Sequence, residues 1–198
     1  MANGYEITYE TVRKKMLSCD FEHAEKYLGF EKSAGGTLMI SFLGRNYNVN
    51  RDGAVPFDRM SVNPNILSVI VYYAVSSGRS EPVYKFSLLK NFTKGLFAGG
   101  DSLSWFVQPL VRKYAKDYPA FRKKMLDTGM IQTDEKNGSY TWQYLIFPKI
   151  PLQIVYYEED DEFPCAIQIM YDITVSEYFE FEPLAVMTGC LIRELTSD

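Results

Sequence analysis

Five consecutive acids, Glu158 to Glu162, are the densest run of chemistry-bearing side chains in this sequence. Calcium and magnesium want several converging oxygens, so such a run raises the question of a cation site. Consecutive residues on extended backbone point to alternate faces, which lets roughly two or three converge at most. No EF-hand spacing is present, and adjacent carboxylates repel and seek water. A solvated turn is expected, with a cation site that would include Asp161 and Glu162 as the sharper alternative. Glu162 also forms a pair with Asp172, flanking an expected strand. General acid–base catalysis by that pair needs a separation that the sequence does not supply.

The other candidates are fewer. His23 is the only histidine. A His-dependent triad or a His-rich metal site therefore has one member, on an expected surface helix between acids, and a solvated residue is the plainer reading. Gly99-Gly100-Asp101 precedes an expected helix, where backbone amides could meet an anion. It lacks the GxxxxGKS/T pattern, and Asp101 opposes an anion, so a tight turn with a helix cap is favoured. Trp105, Phe106, Tyr114 and Phe121 lie among Arg112, Lys113, Lys116, Arg122, Lys123 and Lys124. That series could stack nucleic-acid bases, but such aromatics are more often core with the charges outside. Cys19, Cys165 and Cys190 are far apart, form no CxxC pair, and read as buried free thiols. No catalytic residue, cofactor ligand or metal ligand is assigned on this basis. Glu162, Asp172, Asp161 and Asp101 are the candidates for any site.

These residues need elements to place them. Leu152, Ile154 and Tyr156 alternate with Gln153, Val155 and Tyr157, and Cys165, Ile167, Ile169 and Tyr171 alternate with their neighbours. Period two with β-branched and aromatic residues predicts two strands joined by the acidic turn, the centre of a sheet. Pro164 lacks a backbone donor and is expected at a strand's first position or on an edge. A second hairpin turns at Asn137-Gly138 between 131–134 and 140–147, and an earlier one runs from Thr37 to Asn50 around Gly44. Tyr5, Tyr9, Val12 and Met16 share a helical stripe. Asp20 and Gly29 suit the two ends of a second helix, with both helices falling within residues 5–28. Asn63-Pro64 opens a helix to about Ser76 that is apolar on most faces and therefore buried. A helix to about Lys116 is interrupted or restarted at Pro109, another opens at Pro119, and a last one carries Leu184, Met187, Leu191 and Leu195. Residues 51–62 read as irregular, and Val83 to Leu89 as a short strand or an ordered loop. The order predicts an α+β single domain over residues 1–198, a mostly antiparallel sheet built from hairpins with helices packed against it.

Composition agrees with a globular chain: 198 residues, 46% hydrophobic, 23% charged and 15% aromatic. The longest apolar run is too short for a bilayer, and MANGYEITYE has no signal-peptide core, so a cytoplasmic protein without membrane association is expected. Net charge is −4, yet residues 150–192 carry nine acids and no Lys or Arg, leaving +6 for residues 1–149. A basic helical layer beside an acidic sheet explains this more simply than a nucleic-acid surface.

Several features together resemble a known family. They are Leu28-Gly29-Phe30, the hairpin through Phe42 and Tyr47, Tyr72-Tyr73 and the glycine-rich Leu96 to Gly100. Phe147-Pro148-Lys149-Ile150-Pro151, Asp161-Glu162-Phe163-Pro164 and Met170-Tyr171-Asp172 complete the set. Over residues 25–196 the chain resembles the bacterial and archaeal domain of unknown function numbered 3786. The resemblance implies no established activity and no functional residues. It implies an anaerobic setting and, from members fused to cysteine-rich iron–sulfur or corrinoid-associated modules, a protein partner in anaerobic redox or one-carbon metabolism. This chain has no cysteine motif, so any cluster would belong to the partner. A binding or protein-interaction module is the first expected function. A small-molecule-binding protein, or an enzyme using carboxylates in a pocket between sheet and helices, is the alternative.

Overall fold

The computed structural model describes residues 4–33, 35–93 and 106–197, with side chains from Thr8 onward. The chain opens with α1 (Gly4–Arg13), a 3₁₀ turn (Lys14–Ser18) and α2 (Phe21–Leu28). Asp20 caps α2 by accepting from the Glu22 and His23 amides, and Gly29 ends it at φ 76°. Val12 and Met16 from the expected stripe are buried and Tyr9 is half-buried, while the Tyr5 side chain lies outside the described residues.

A four-stranded antiparallel meander follows: β1 (Glu31–Lys32), β2 (Leu38–Phe42), β3 (Arg45–Asn50) and β4 (Gly53–Pro56). The β2–β3 turn is Leu43-Gly44, both at positive φ, with Phe42 opposite Arg45. Strand β4 corrects the irregular reading of residues 51–62. It is short and carries Pro56, so its sequence looks like loop, and only pairing with β3 makes it a strand. Its outer edge is closed by a side chain. The Tyr9 hydroxyl accepts from the Ala54 amide at 3.1 Å and donates to the Ala54 carbonyl at 2.9 Å.

α3 (Pro64–Ala74) is capped by Asn63, whose side chain accepts from the Asn65 amide. It is buried around most of its circumference, as its composition predicts. β5 (Phe86–Leu88) resolves the ambiguity of residues 83–89 in favour of a three-residue strand. α4 (Gln108–Tyr114) has Pro109 in its first turn, a position that needs no amide donor, while the expected start of this helix at Asp101 or Ser102 lies outside the described residues. α5 (Tyr118–Asp127), β6 (Ile131–Lys136), β7 (Ser139–Phe147), β8 (Ile150–Tyr157), β9 (Ala166–Asp172) and α6 (Phe181–Thr196) complete the chain. The last five strands form a second antiparallel sheet in the order β5-β9-β8-β7-β6. Asn137 and Gly138 make the β6–β7 turn at φ 49° and 73°.

The fold is therefore α+β with antiparallel sheets, but the strands divide between two sheets where one was expected. β8, from the acidic-turn hairpin, is the central strand of the larger sheet. Leu152, Ile154 and Tyr156 face its helical layer, and Pro151 and Val155 on the opposite face are also buried. Pro164 is not in a strand. The proline that the larger sheet does accept is Pro151, which lies just beyond the last β8–β9 pair, Leu152–Tyr171, where its missing donor interrupts no pairing of that ladder.

The basic layer has a specific use. Lys113 Nζ donates to the Thr196 and Ser197 carbonyls, Lys124 Nζ to the Ser197 carbonyl, and the Tyr114 hydroxyl to the Leu195 carbonyl. Two cations and a phenol thus satisfy the C-terminal end of α6, where the helix dipole is negative. Among the described residues no helix is long and apolar enough to cross a membrane.

Candidate functional site

The acid pair is not brought together. Asp172 is fully buried at the end of β9, and its carboxylate accepts from the Thr174 amide at 2.9 Å, the Thr174 hydroxyl at 2.7 Å and the Lys85 amide at 3.2 Å. It caps the 3₁₀ turn that follows and ties it to the segment leading into β5. Glu162 lies exposed beyond the other end of β9. A seven-residue strand rising about 3.3 Å per residue puts roughly 20 Å between them. In the acidic turn, Asp160 Oδ1 accepts from the Glu162 and Phe163 amides, and Glu158 accepts from the Tyr140 hydroxyl. Asp161 and Glu162 are exposed, and among the described residues no three His, Cys, Asp or Glu side chains could hold a metal ion. Asp101, with Gly99, Gly100 and Trp105, lies outside the described residues.

Other candidates change status too. His23 is half-buried, not solvated, and its Nε2 lies 3.1 Å from the Gly78 carbonyl. Tyr114 and Phe121 are core residues in edge-to-face contact at 5.5 Å, so they offer no stacking platform to bases. The three cysteines are buried and unlinked. Burial pushes the Cys19 thiol up to about 11 and the Cys190 thiol up to about 12. Burial also raises Cys165, against the lowering effect of its bond with Tyr156, and the carboxylates of Glu159 and Glu158 add to the rise.

A cleft lies where the sequence shows no motif. β5 pairs only with the last residues of β9, Met170 to Asp172, then leaves as a 3₁₀ turn at Leu89–Phe92. Beyond Met170 the outer edge of β9 has no strand beside it among the described residues. A half-open cleft of about 290 Å³ runs there, between that edge, the start of β5's departing turn and the first turn of α4. Leu89, Phe106, Val107, Val111, Ile167 and Ile169 give it apolar walls. Gln108, Gln168, Thr188 and the Cys165 thiol add polar points, and Lys90 adds a cation. None of its described lining residues is a carboxylate. Sequence reasoning missed this cleft because it arises from a mismatch in strand length, three residues against seven. The shortness of the 83–89 segment was the only available signal.

The residues of the sequence signature meet elsewhere. The Tyr73 ring stacks on Phe147 at 4.2 Å, Phe147 on Phe42 at 4.8 Å and Phe30 on Tyr73 at 5.7 Å. The Tyr73 hydroxyl donates to the Leu28 carbonyl at 2.7 Å. A Cβ on Gly29 would come within 2.6 Å of Pro148 Cβ, so only glycine lets these two turns touch. Lys149 forms an ion pair with Glu81. The Tyr171 hydroxyl bonds with the Thr188 hydroxyl at 2.8 Å, which ties β9 to α6. The signature thus specifies an aromatic joint between the two sheets and the anchoring of β9.

An antiparallel α+β domain with this joint is one structural class, and the sequence places it further. The family model for a domain of unknown function (DUF3786) matches residues 20–194, nearly the whole chain, and the protein belongs to this family. Searches of the curated proteins and of the solved structures return no match.

Proposed function

We propose that this chain is a binding module whose site is the cleft along the outer edge of β9. The observation that carries the reading is the cleft itself: a concave, mainly apolar site of about 290 Å³ with a few polar points, the usual make-up of a ligand site. It lies beside the edge of the larger sheet and against the first turn of α4, and its described lining holds no carboxylate for the alternative of an enzyme using carboxylates. An accessory role beside iron–sulfur or corrinoid proteins rests on the fusion habit that the family resemblance implies. A pull-down that returns no redox or corrinoid partner would count against it.

The cleft is tested with 1-anilinonaphthalene-8-sulfonate, a fluorescent apolar anion. Saturable binding at one site is expected. Gln108→Trp, at an exposed lining position, should abolish it while circular dichroism and melting temperature stay unchanged. Absence of saturable binding to the native chain, or unchanged binding to the Gln108→Trp variant, would overturn the reading.

A further inference from the structure

We infer that a second ligand site, independent of the cleft beside β9, lies between the end of α3 and the start of α6, and that it takes a small alkylammonium compound carrying a hydroxyl group. A half-open hollow of about 340 Å³ lies there, closed on one side by Lys15 from the first 3₁₀ turn. It shares no lining residue with the cleft.

The first support is the cation that the chain itself places there. Lys15 Nζ lies over the Tyr72 ring, 5.2 Å from its centre, and both residues line the hollow. The ring face attracts an ammonium group through its quadrupole. Glu177 and Glu180 line the same hollow, both exposed, and Lys15 is the one cation among its described lining residues. Glu177 already accepts from the Ser80 hydroxyl at 2.6 Å. Glu180 stands at the N-cap of α6 and makes no capping bond. Burial raises the Tyr72 phenol, and Glu182 and Glu180 raise it further, so both carboxylates act on this ring. The α6 N-terminus opposes a cation with about half a positive charge, less than either carboxylate supplies. The local field therefore favours cations. Lys15 is exposed on a flexible stem, so an incoming ammonium group can take its place while it moves into water.

The second support is a hydroxyl without a use. Ser76 lines the hollow, and its Oγ is buried with no hydrogen-bond partner. Such a group carries its full desolvation cost, and folded chains keep few of them. Lys15 and the ring satisfy each other but leave Ser76 unpaired. A ligand hydroxyl close to its ammonium group supplies the missing partner, which a plain tetraalkylammonium ion does not. The volume of the hollow suits a small molecule.

The test titrates the isotope-labelled full chain with choline, with tetramethylammonium, and with 3,3-dimethylbutan-1-ol, the uncharged carbon isostere of choline. Saturable choline binding that shifts the Ser76 and Ser77 amide resonances is expected, with the isostere weaker by about fivefold or more. Lys15→Met removes the competing ammonium and should strengthen choline binding by about threefold. Glu180→Gln, at an exposed position, should weaken it by about threefold, with a larger effect at low salt. Ser76→Ala removes an unpaired group, so the melting temperature should not fall, yet choline should drop to the affinity of tetramethylammonium. Gln108→Trp should leave choline binding unchanged. The site is overturned if choline binds neither the native chain nor the Lys15→Met variant, or if the isostere binds as tightly as choline. Unchanged choline affinity in Ser76→Ala overturns the hydroxyl contact. Loss of choline binding in Gln108→Trp would put choline in the β9 cleft and overturn the second site, while the reading of that cleft stands.

Discussion

The rings of Tyr73 and Phe147 lie 4.2 Å apart with their planes 14° from parallel, and this stack joins a strand of the larger sheet to the buried helix that backs the smaller one. Both residues are buried, and the Tyr73 hydroxyl finds its partner in the Leu28 carbonyl, at the end of α2. Tyr73→Phe should keep the stack and leave that carbonyl unpaired, which costs about 1–3 kcal/mol. Phe147→Ala should remove the stack itself, at about 3–5 kcal/mol. Urea unfolding with unchanged m-values would read both.

Gly29 and Gly36 have the same φ of 76°, but a Cβ on Gly29 meets Pro148 at 2.6 Å and one on Gly36 meets nothing within 4 Å. Gly36→Ala should therefore show the left-handed backbone penalty alone, roughly 1–2 kcal/mol. Gly29→Ala should exceed it by about 1–3 kcal/mol from overpacking. Equal losses in the two variants would mean that the contact with Pro148 is not specific.

Asp172 and Glu162 should behave as unrelated residues. Asp172→Ala leaves the Thr174 and Lys85 donors without their acceptor and should cost about 2–4 kcal/mol. Glu162→Ala should fall within about 0.5 kcal/mol of the native chain. The double variant should be additive within about 0.5 kcal/mol, since the two sites share no partner.

The buried thiols set an alkaline limit. Burial pushes Cys19 from 9.0 up to about 11 and Cys190 from 9.0 up to about 12, so the unfolded chain releases these protons first. Their contribution is fully present below pH 9 and is lost as pH rises towards 11 and 12. The urea midpoint should fall over that window. Native alkylation by iodoacetamide at pH 8 should be slow for both, because the thiolate is the nucleophile.

Much of the fold is legible in the sequence because its signals are local. Asp20, Asn63, Gly29 and Asn137-Gly138 fix caps and turns through their own conformations, and period two marks β8 and β9. β4 and β5 were hard to read because short strands have little periodicity and owe their state to a partner. The division into two sheets depends on which strands find each other across α3, a tertiary choice. The site was less legible. The acids stood out by charge, yet Asp172 serves as a buried cap and Glu162 as a solvated turn residue. The cleft depends on where β5 stops pairing, and no residue in it carries a signal of its own.

The contact between Tyr9 and Ala54 has a bearing on what counts as the unit. The family match begins at residue 20, so α1 precedes it, yet the α1 phenol closes both free main-chain groups of Ala54 at the margin of the smaller sheet. A fragment trimmed to the family boundary would keep every signature residue and still expose a bare strand margin able to recruit copies of itself. Size-exclusion chromatography of residues 20–198 should show self-association that the full chain lacks, and Tyr9→Phe should reproduce part of it. For this protein the unit that inheritance recognises is smaller than the unit whose β4 margin is closed.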